Sequence, residues 1–213
     1  MKTLIESIYT IILFSIVFII VQSDALSETY TVESVFASLR AKYSSMKTVE
    51  LDFQSVEPVS GMIGSLKAEK SGKYVLTLSD RKIICDNRTI WNIIPNRKMV
   101  SISSVKNKPT NSIDIILFTF LYSYQPISIK EYSVGKSNLL ALELHPKGQN
   151  AAMGIKKLTV FLKKGSTIIE RISADDGNQD MVWDIKNLRI NSKLQSDLFT
   201  YSPPVGIEVI DMR

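Results

Sequence analysis

The sequence is poor in the residues that carry chemistry. Among 213 residues there is one cysteine, Cys85, and one histidine, His145. A single cysteine excludes a disulfide framework and a cysteine-based zinc site. Cys85 lies inside "KIICDN", an apolar stretch of strand character, and reads as a small buried hydrophobe. A catalytic histidine needs a nucleophile and an orienting acid around it. No G-x-S-x-G accompanies His145, which precedes Pro146 and reads as a surface or turn residue. Glycine-rich phosphate loops and metal-spaced histidines are absent. "DDGNQD" has three aspartates, Asp175, Asp176 and Asp180, but neither the spacing nor the terminal glutamate of a calcium loop. It reads as a hairpin turn. No catalytic residue, metal or cofactor is expected, and a hydrolase centred on His145 is a reading without motif support.

Dense basic stretches are missing too. The net charge is +5, but the basic residues are scattered and not interleaved with aromatics, so no nucleic-acid partner is expected. Neither a fixed-period repeat nor a Gly/Ser- or Pro-rich linker divides the chain, which reads as one domain.

Long apolar runs are two. The first, Ile8 to Val21, follows Lys2 and precedes "QSDALS" with small residues at Ser23 and Ala25. This is the layout of a secretory signal, with cleavage placed after Ala25 and the domain at 26–213. An uncleaved anchor is the alternative, although the run is short of the ~20 residues a spanning helix needs.

The second run is "NSIDIILFTFLYSYQP", residues 111–126. Asn111 can cap a helix there and Pro126 can stop it. Nearly every position between is apolar, and a helix apolar all round must be buried all round. It reads as a helix that is covered by a second layer or that roofs an apolar cavity. A buried strand gives a similar run.

Elsewhere the patterning is regular. Val32, Val35, Phe36, Leu39, Tyr43 and Met46 are spaced by three and four, which predicts an amphipathic helix over 32–47 capped by Thr31. Then period two takes over. "GKYVLTLS" sets Tyr74, Leu76 and Leu78 on one face. "TIWNIIP" sets Trp91 and Ile93 against Ile90, Asn92 and Ile94. "NLLALELHP", "KKLTVFLKK", "TIIERIS" and "QDMVWDIKN" alternate likewise. Short strands divided by turn signals predict an antiparallel meander, open or closed into a barrel.

The stretch "DDGNQDMVWDIKNLRINSKLQSDLFTYSPPVGIEVID" resembles the C-terminal part of LolA-type periplasmic lipoprotein carriers, through Asp176, Gly177, Asn187, Leu198, Phe199, Tyr201, Pro204, Gly206, Ile207 and Val209. Gly64, Leu66, Tyr74, Asp86, Trp91 and Pro95 fit that family's upstream pattern. The resemblance implies a mainly β fold, an unclosed antiparallel β-barrel (a half-barrel) covered by helices that form a lid. It implies a non-enzymatic periplasmic carrier whose apolar cavity holds the acyl chains of lipoproteins. The partners would be acylated lipoproteins, an inner-membrane lipoprotein-releasing ABC transporter and an outer-membrane acceptor, with the carrier a monomer. The cavity residues implied are Tyr74, Leu76, Trp91, Ile93, Leu117, Phe118, Leu121, Leu142 and Trp183. Lys70, where the family has an arginine followed by proline, is the implied lid contact, and Ser71 follows it here. A lysine offers one flexible ammonium in place of a planar five-donor fork. A sensing module of the same fold, binding lipid or lipoprotein for a regulatory partner, is the alternative.

Overall fold

Helix α1 spans Val32–Tyr43 in the computed structural model, which describes residues 30–58, 61–105, 118, 120–134, 137–148 and 154–213. The proposed signal segment and residues 111–117 and 119 of the 111–126 run lie outside the described residues. Thr31 and Ser34 form a reciprocal capping box at the start of α1, and Arg40 and Lys42 sit at its end as the helix dipole favours. The helix is shorter than the expected 32–47. Ser44 and Ser45 are weak helix formers, and the chain must turn there to enter the first strand at Thr48. Met46 is nevertheless buried beyond the helix end.

Among the described residues twelve strands follow: β1 (Thr48–Glu57), β2 (Ile63–Glu69), β3 (Tyr74–Leu78), β4 (Lys82–Cys85), β5 (Thr89–Ile94), β6 (Met99–Ser104), β7 (Tyr124–Val134), β8 (Ser137–Pro146), β9 (Lys157–Lys163), β10 (Ile169–Asp175), β11 (Asp180–Ile190) and β12 (Glu208–Asp211). They form a single sheet in the order β12-β6-β5-β4-β3-β2-β1-β11-β10-β9-β8-β7. Two meanders, β1–β6 and β7–β11, are thus joined side by side through the antiparallel pair β1·β11. The sheet does not close, since β12 and β7 are its two edges.

The expected antiparallel pattern has one exception. β12 runs parallel to β6, with Val209 beside Val100 and Asp211 beside Ile102. Because β12 is reached by a long return over the sheet instead of a hairpin, nothing forces it to reverse direction. The helix expected to stop at Pro126 ends sooner: residues 120–123 are helical and β7 begins at Tyr124. Pro126 lies inside β7, beside a register shift between Pro126 and Ser128. Proline lacks the ladder donor and is tolerated there because β7 is an edge strand.

Directly paired residues share a face of a sheet, so the register defines two surfaces. One row runs Leu51–Leu66–Leu76–Ile83–Asn92. Another runs Leu142–Val160–Ile172–Trp183–Ser55. This inner face carries most of the core, including Val49, Phe53, Ala68, Leu140, Leu144, Leu158, Leu162 and Ala174. Helix α1 packs at its β7–β8 end and buries Val35, Phe36, Leu39 and Tyr43. The outer face starts polar at the joint, with Glu50 bridged by Lys67 and Arg189. It turns apolar over β3–β5. There the segment after β11 lies down: Phe199 packs with Val75 and Ile84, flanked by Trp91, Ile93, Leu194, Leu198 and Tyr201.

Candidate binding face and its cover

β6 stands next to one edge of the sheet and β7 forms the other. Just before β7, residues 118 and 120–123 are helical. This turn is held at three points. Phe120 and Leu121 are buried. The Tyr122 hydroxyl donates to the carbonyl of Ser44 at 3.1 Å, which ties the segment to the end of α1. The Lys70 ammonium lies 5.7 Å from the centre of the Tyr122 ring, within range of a cation–π attraction. Lys70 is itself anchored, because its N–H donates to the carbonyl of Lys47 at 2.8 Å. Tyr124 then enters β7 fully buried, its hydroxyl donating to the carbonyl of Ile155 at 3.2 Å.

Of the expected cavity residues, Tyr74, Leu76, Leu142 and Trp183 share the inner face. Tyr74 and Leu142 are buried, while Leu76 and Trp183 are half-buried and offer surface to a ligand. Leu121 is buried and Phe118 half-buried just before β7. Leu117 lies outside the described residues. Trp91 and Ile93 are a correction. They sit on the outer face, because Trp91 pairs with Ile84 and Ile84 with Val75, a row that ends at Lys67 and Glu50. Odd positions of β5 oppose even positions of β3, so two apolar sets that look alike in sequence belong to opposite faces. Trp91 and Ile93 are covered by the C-terminal segment. The inner-facing members of β5 are Ile90, Asn92 and Ile94.

The inner face is not apolar throughout. Asn92 opposes Ser101, and its Oδ1 is buried without a hydrogen-bond partner among the described residues.

Sequence reasoning missed Tyr122 as the partner of Lys70, and it missed β1 entirely. The β1 signal was available. Val49, Leu51 and Phe53 alternate with polar residues in "TVELDF", and every one of them is buried on the inner face.

The ionisable groups are arranged for structure. His145 Nε2 lies 2.8 Å from Glu143 Oε1 near the end of β8, half-exposed, with no nucleophile recorded beside it among the described residues. Among the described residues no group of three or more His, Cys, Asp or Glu side chains could hold a metal. Asp175 and Asp176 accept main-chain N–H groups of the β10–β11 turn, from Gly177 and from Asn178 and Gln179. Those bonds hold both carboxyls below the usual carboxylate range. The loop is the hairpin expected from "DDGNQD", with Gly177 at φ +90°. No helix among the described residues is long and apolar enough to cross a membrane.

The family model described as "Outer membrane lipoprotein carrier protein LolA" matches residues 62–202. An outer-membrane lipoprotein carrier protein of Cronobacter sakazakii is 24% identical over 202 residues, covering 89% of this chain and 95% of that one. Among solved structures, an uncharacterized conserved protein from Thermus thermophilus superposes with a TM-score of 0.48 at 12% identity, over 84% of this chain and 98% of that one. A putative outer membrane lipoprotein-sorting protein domain from Vibrio parahaemolyticus gives a TM-score of 0.43 at 13% identity, over 80% of this chain and 97% of that one.

Proposed function

The chain belongs to the LolA family of outer membrane lipoprotein carrier proteins, and on that premise we propose that it is a periplasmic carrier that holds the acyl chains of lipoproteins against the inner face of its sheet. The observation that carries the reading is an unclosed sheet with an apolar inner face beside the helical residues 118 and 120–123, the strap. The strap is held by the buried Phe120 and Leu121, by the Lys70–Tyr122 contact and by the Tyr122–Ser44 hydrogen bond. The two polar contacts are worth about 1 kcal/mol each and each buried apolar side chain about 1.5–3 kcal/mol, so a ligand that buries much more can displace the strap.

The ligand's own energetics set the design. Each acyl CH₂ removed from water contributes ~0.8 kcal/mol, so three long chains of roughly 45 CH₂ groups would lose roughly 35 kcal/mol on exposure. Cargo of that kind cannot cross water uncovered, and the carrier needs only to beat water while leaving a receiving site able to compete. Tyr74, Leu76, Leu142 and Trp183 form the proposed wall, Phe118 and Leu121 belong to the strap, and Leu117 is a further proposed acyl contact. Lys70 helps hold the strap through Tyr122. Cargo would arrive from an inner-membrane ABC transporter and leave to an outer-membrane acceptor. No residue needs to make or break a covalent bond.

The test is native mass spectrometry of the protein purified from an envelope-bearing host, with lipid extraction of the same sample. A co-purified triacylated lipoprotein, lost in Leu76→Asp but kept in Trp91→Ala, supports the carrier. An empty protein that takes up no triacylated lipopeptide overturns it. Binding without transfer to membranes favours the lipid- or lipoprotein-sensing module.

A further inference from the structure

The sheet forks. β10 and β11 pair from Arg171–Asp184 to Asp175–Asp180 and no further. Beyond that point β10 continues toward Ile169 paired only with β9, and β11 continues from Ile185 to Ile190 paired only with β1. Irregularities on both sides open the gap: register shifts fall between Ile169 and Arg171 and between Glu50 and Asp52, and Asn187 takes φ +52°. Between the diverging strands lies a cavity of about 430 Å³ lined by residues 168–171 and 184–188 together with Leu139.

The two banks differ. On the β10 bank, Tyr43 of α1 fills the place of a strand: its hydroxyl donates to the carbonyl of Thr167 at 2.9 Å and is hydrogen-bonded by the main chain of Ile169. On the β11 bank, among the described residues, no main-chain bond runs from Ile185–Leu188 toward β10. The lining also joins the two surfaces. Ile169 and Ile185 are buried with the inner core, whereas Arg171 and Asp184, bridged at 2.6 Å, stand on the outer face with the exposed Lys186.

We propose that this fork is the passage for the polypeptide of the acylated cargo, an extended segment that adds to the free edge of β11 at Ile185–Leu188. The inference rests on the carrier reading. A peptide anchored by its acyl chains on the inner face must leave that face somewhere, and main chain can pass an apolar wall only if its polar groups are paired. An exposed strand edge supplies such pairing without demanding a sequence, through main-chain hydrogen bonds. Four residues of β11 span about 13 Å at ~3.3 Å per residue, enough for one short segment. The outer bank, with Glu170, Arg171, Asp184 and Lys186, presents both charge signs and suits peptides of mixed composition.

Amide hydrogen exchange of the full chain tests this with two probes. One is a triacylated cysteine carrying a ten-residue polar peptide. The other is the triacylated cysteine amide without it. The expected result is that both bind, and that only the peptide-bearing probe slows exchange at residues 185–188, by more than about tenfold. In Ile168→Trp, at a position 47% exposed at the cleft, the larger ring should cancel that protection. Binding of both probes with identical exchange at residues 185–188 overturns the passage and leaves the carrier standing. Binding of neither overturns both.

Discussion

The Tyr43 hydroxyl donates to the carbonyl of Thr167 across 124 positions of sequence, at 2.9 Å. It fastens the only long helix among the described residues to the loop before β10. Burial pushes the phenol up to about 12, against a smaller opposing effect of the hydrogen bond from the Ile169 main chain.

That shift has a definite sign. A phenol whose folded pKa lies above its ordinary value near 10 adds stability that is fully present below pH 10. The stability is lost as pH rises through 10 toward 12. Wild type should therefore exceed Tyr43→Phe in unfolding free energy at pH 8, by about 1 kcal/mol for the lost hydrogen bond. The gap should shrink above pH 10. Chemical denaturation at a series of pH values checks this. A gap that stays constant to pH 12 would sink the assignment.

Lys70 and Tyr122 should act on the strap and hardly on the fold. Lys70→Ala should change global stability by less than about 1 kcal/mol, yet speed the loss of a bound triacylated probe. Tyr122→Ala, which also removes the bond to Ser44, should speed it more. Lys70→Arg should restore or slow release, since a guanidinium stacks on an aromatic ring better than an ammonium. Stopped-flow transfer of a fluorescent lipopeptide to vesicles measures all three.

The two faces should separate genetically. Phe199→Ala should cost about 3–5 kcal/mol by emptying the space among Val75, Ile84 and Trp91. Below its melting temperature the variant should still bind acyl probe. Leu76→Asp should do the reverse, sparing most of the stability and abolishing binding. Thermal melts and binding isotherms run side by side distinguish these outcomes.

Leu142 and Leu76 should differ although both face inward. Leu142 is fully buried, so Leu142→Ala should lose about 2–5 kcal/mol. Leu76 keeps exposed surface, and Leu76→Ala should lose less stability and relatively more affinity. Equal stability losses would mean that Leu76 is ordinary core.

Much of the fold was legible in alternation. "KKLTVFLKK" and "NLLALELHP" place Leu158, Val160, Leu162, Leu140, Leu142 and Leu144 inward, as their spacing requires. The strand β7 was harder. Its "PISIKEYSV" mixes polar residues on both sides because an edge strand buries little. The faces of Trp91 and Tyr74 could not be related from sequence, since their relation depends on the pairing through Ile84 and Val75 and on how the turns between strands count. The fork left no mark in composition at all. It arises from bulges, and a bulge adds a residue without changing the apolar pattern on either side.

The central seam, β1 against β11, has a consequence for how the molecule is made. Val49 lies beside Ile190 and Phe53 beside Ile185, so the middle of the sheet is stitched from strands far apart in sequence. Each meander can begin from neighbouring hairpins as it emerges, but the halves cannot be joined until β11 has been made. Contacts of such separation fold slowly, and until they form both halves expose unpaired strands at the seam. A chain truncated before β11 should therefore collect as two unjoined, sticky halves, and the full chain should show a late, rate-limiting step reported by the burial of Trp183.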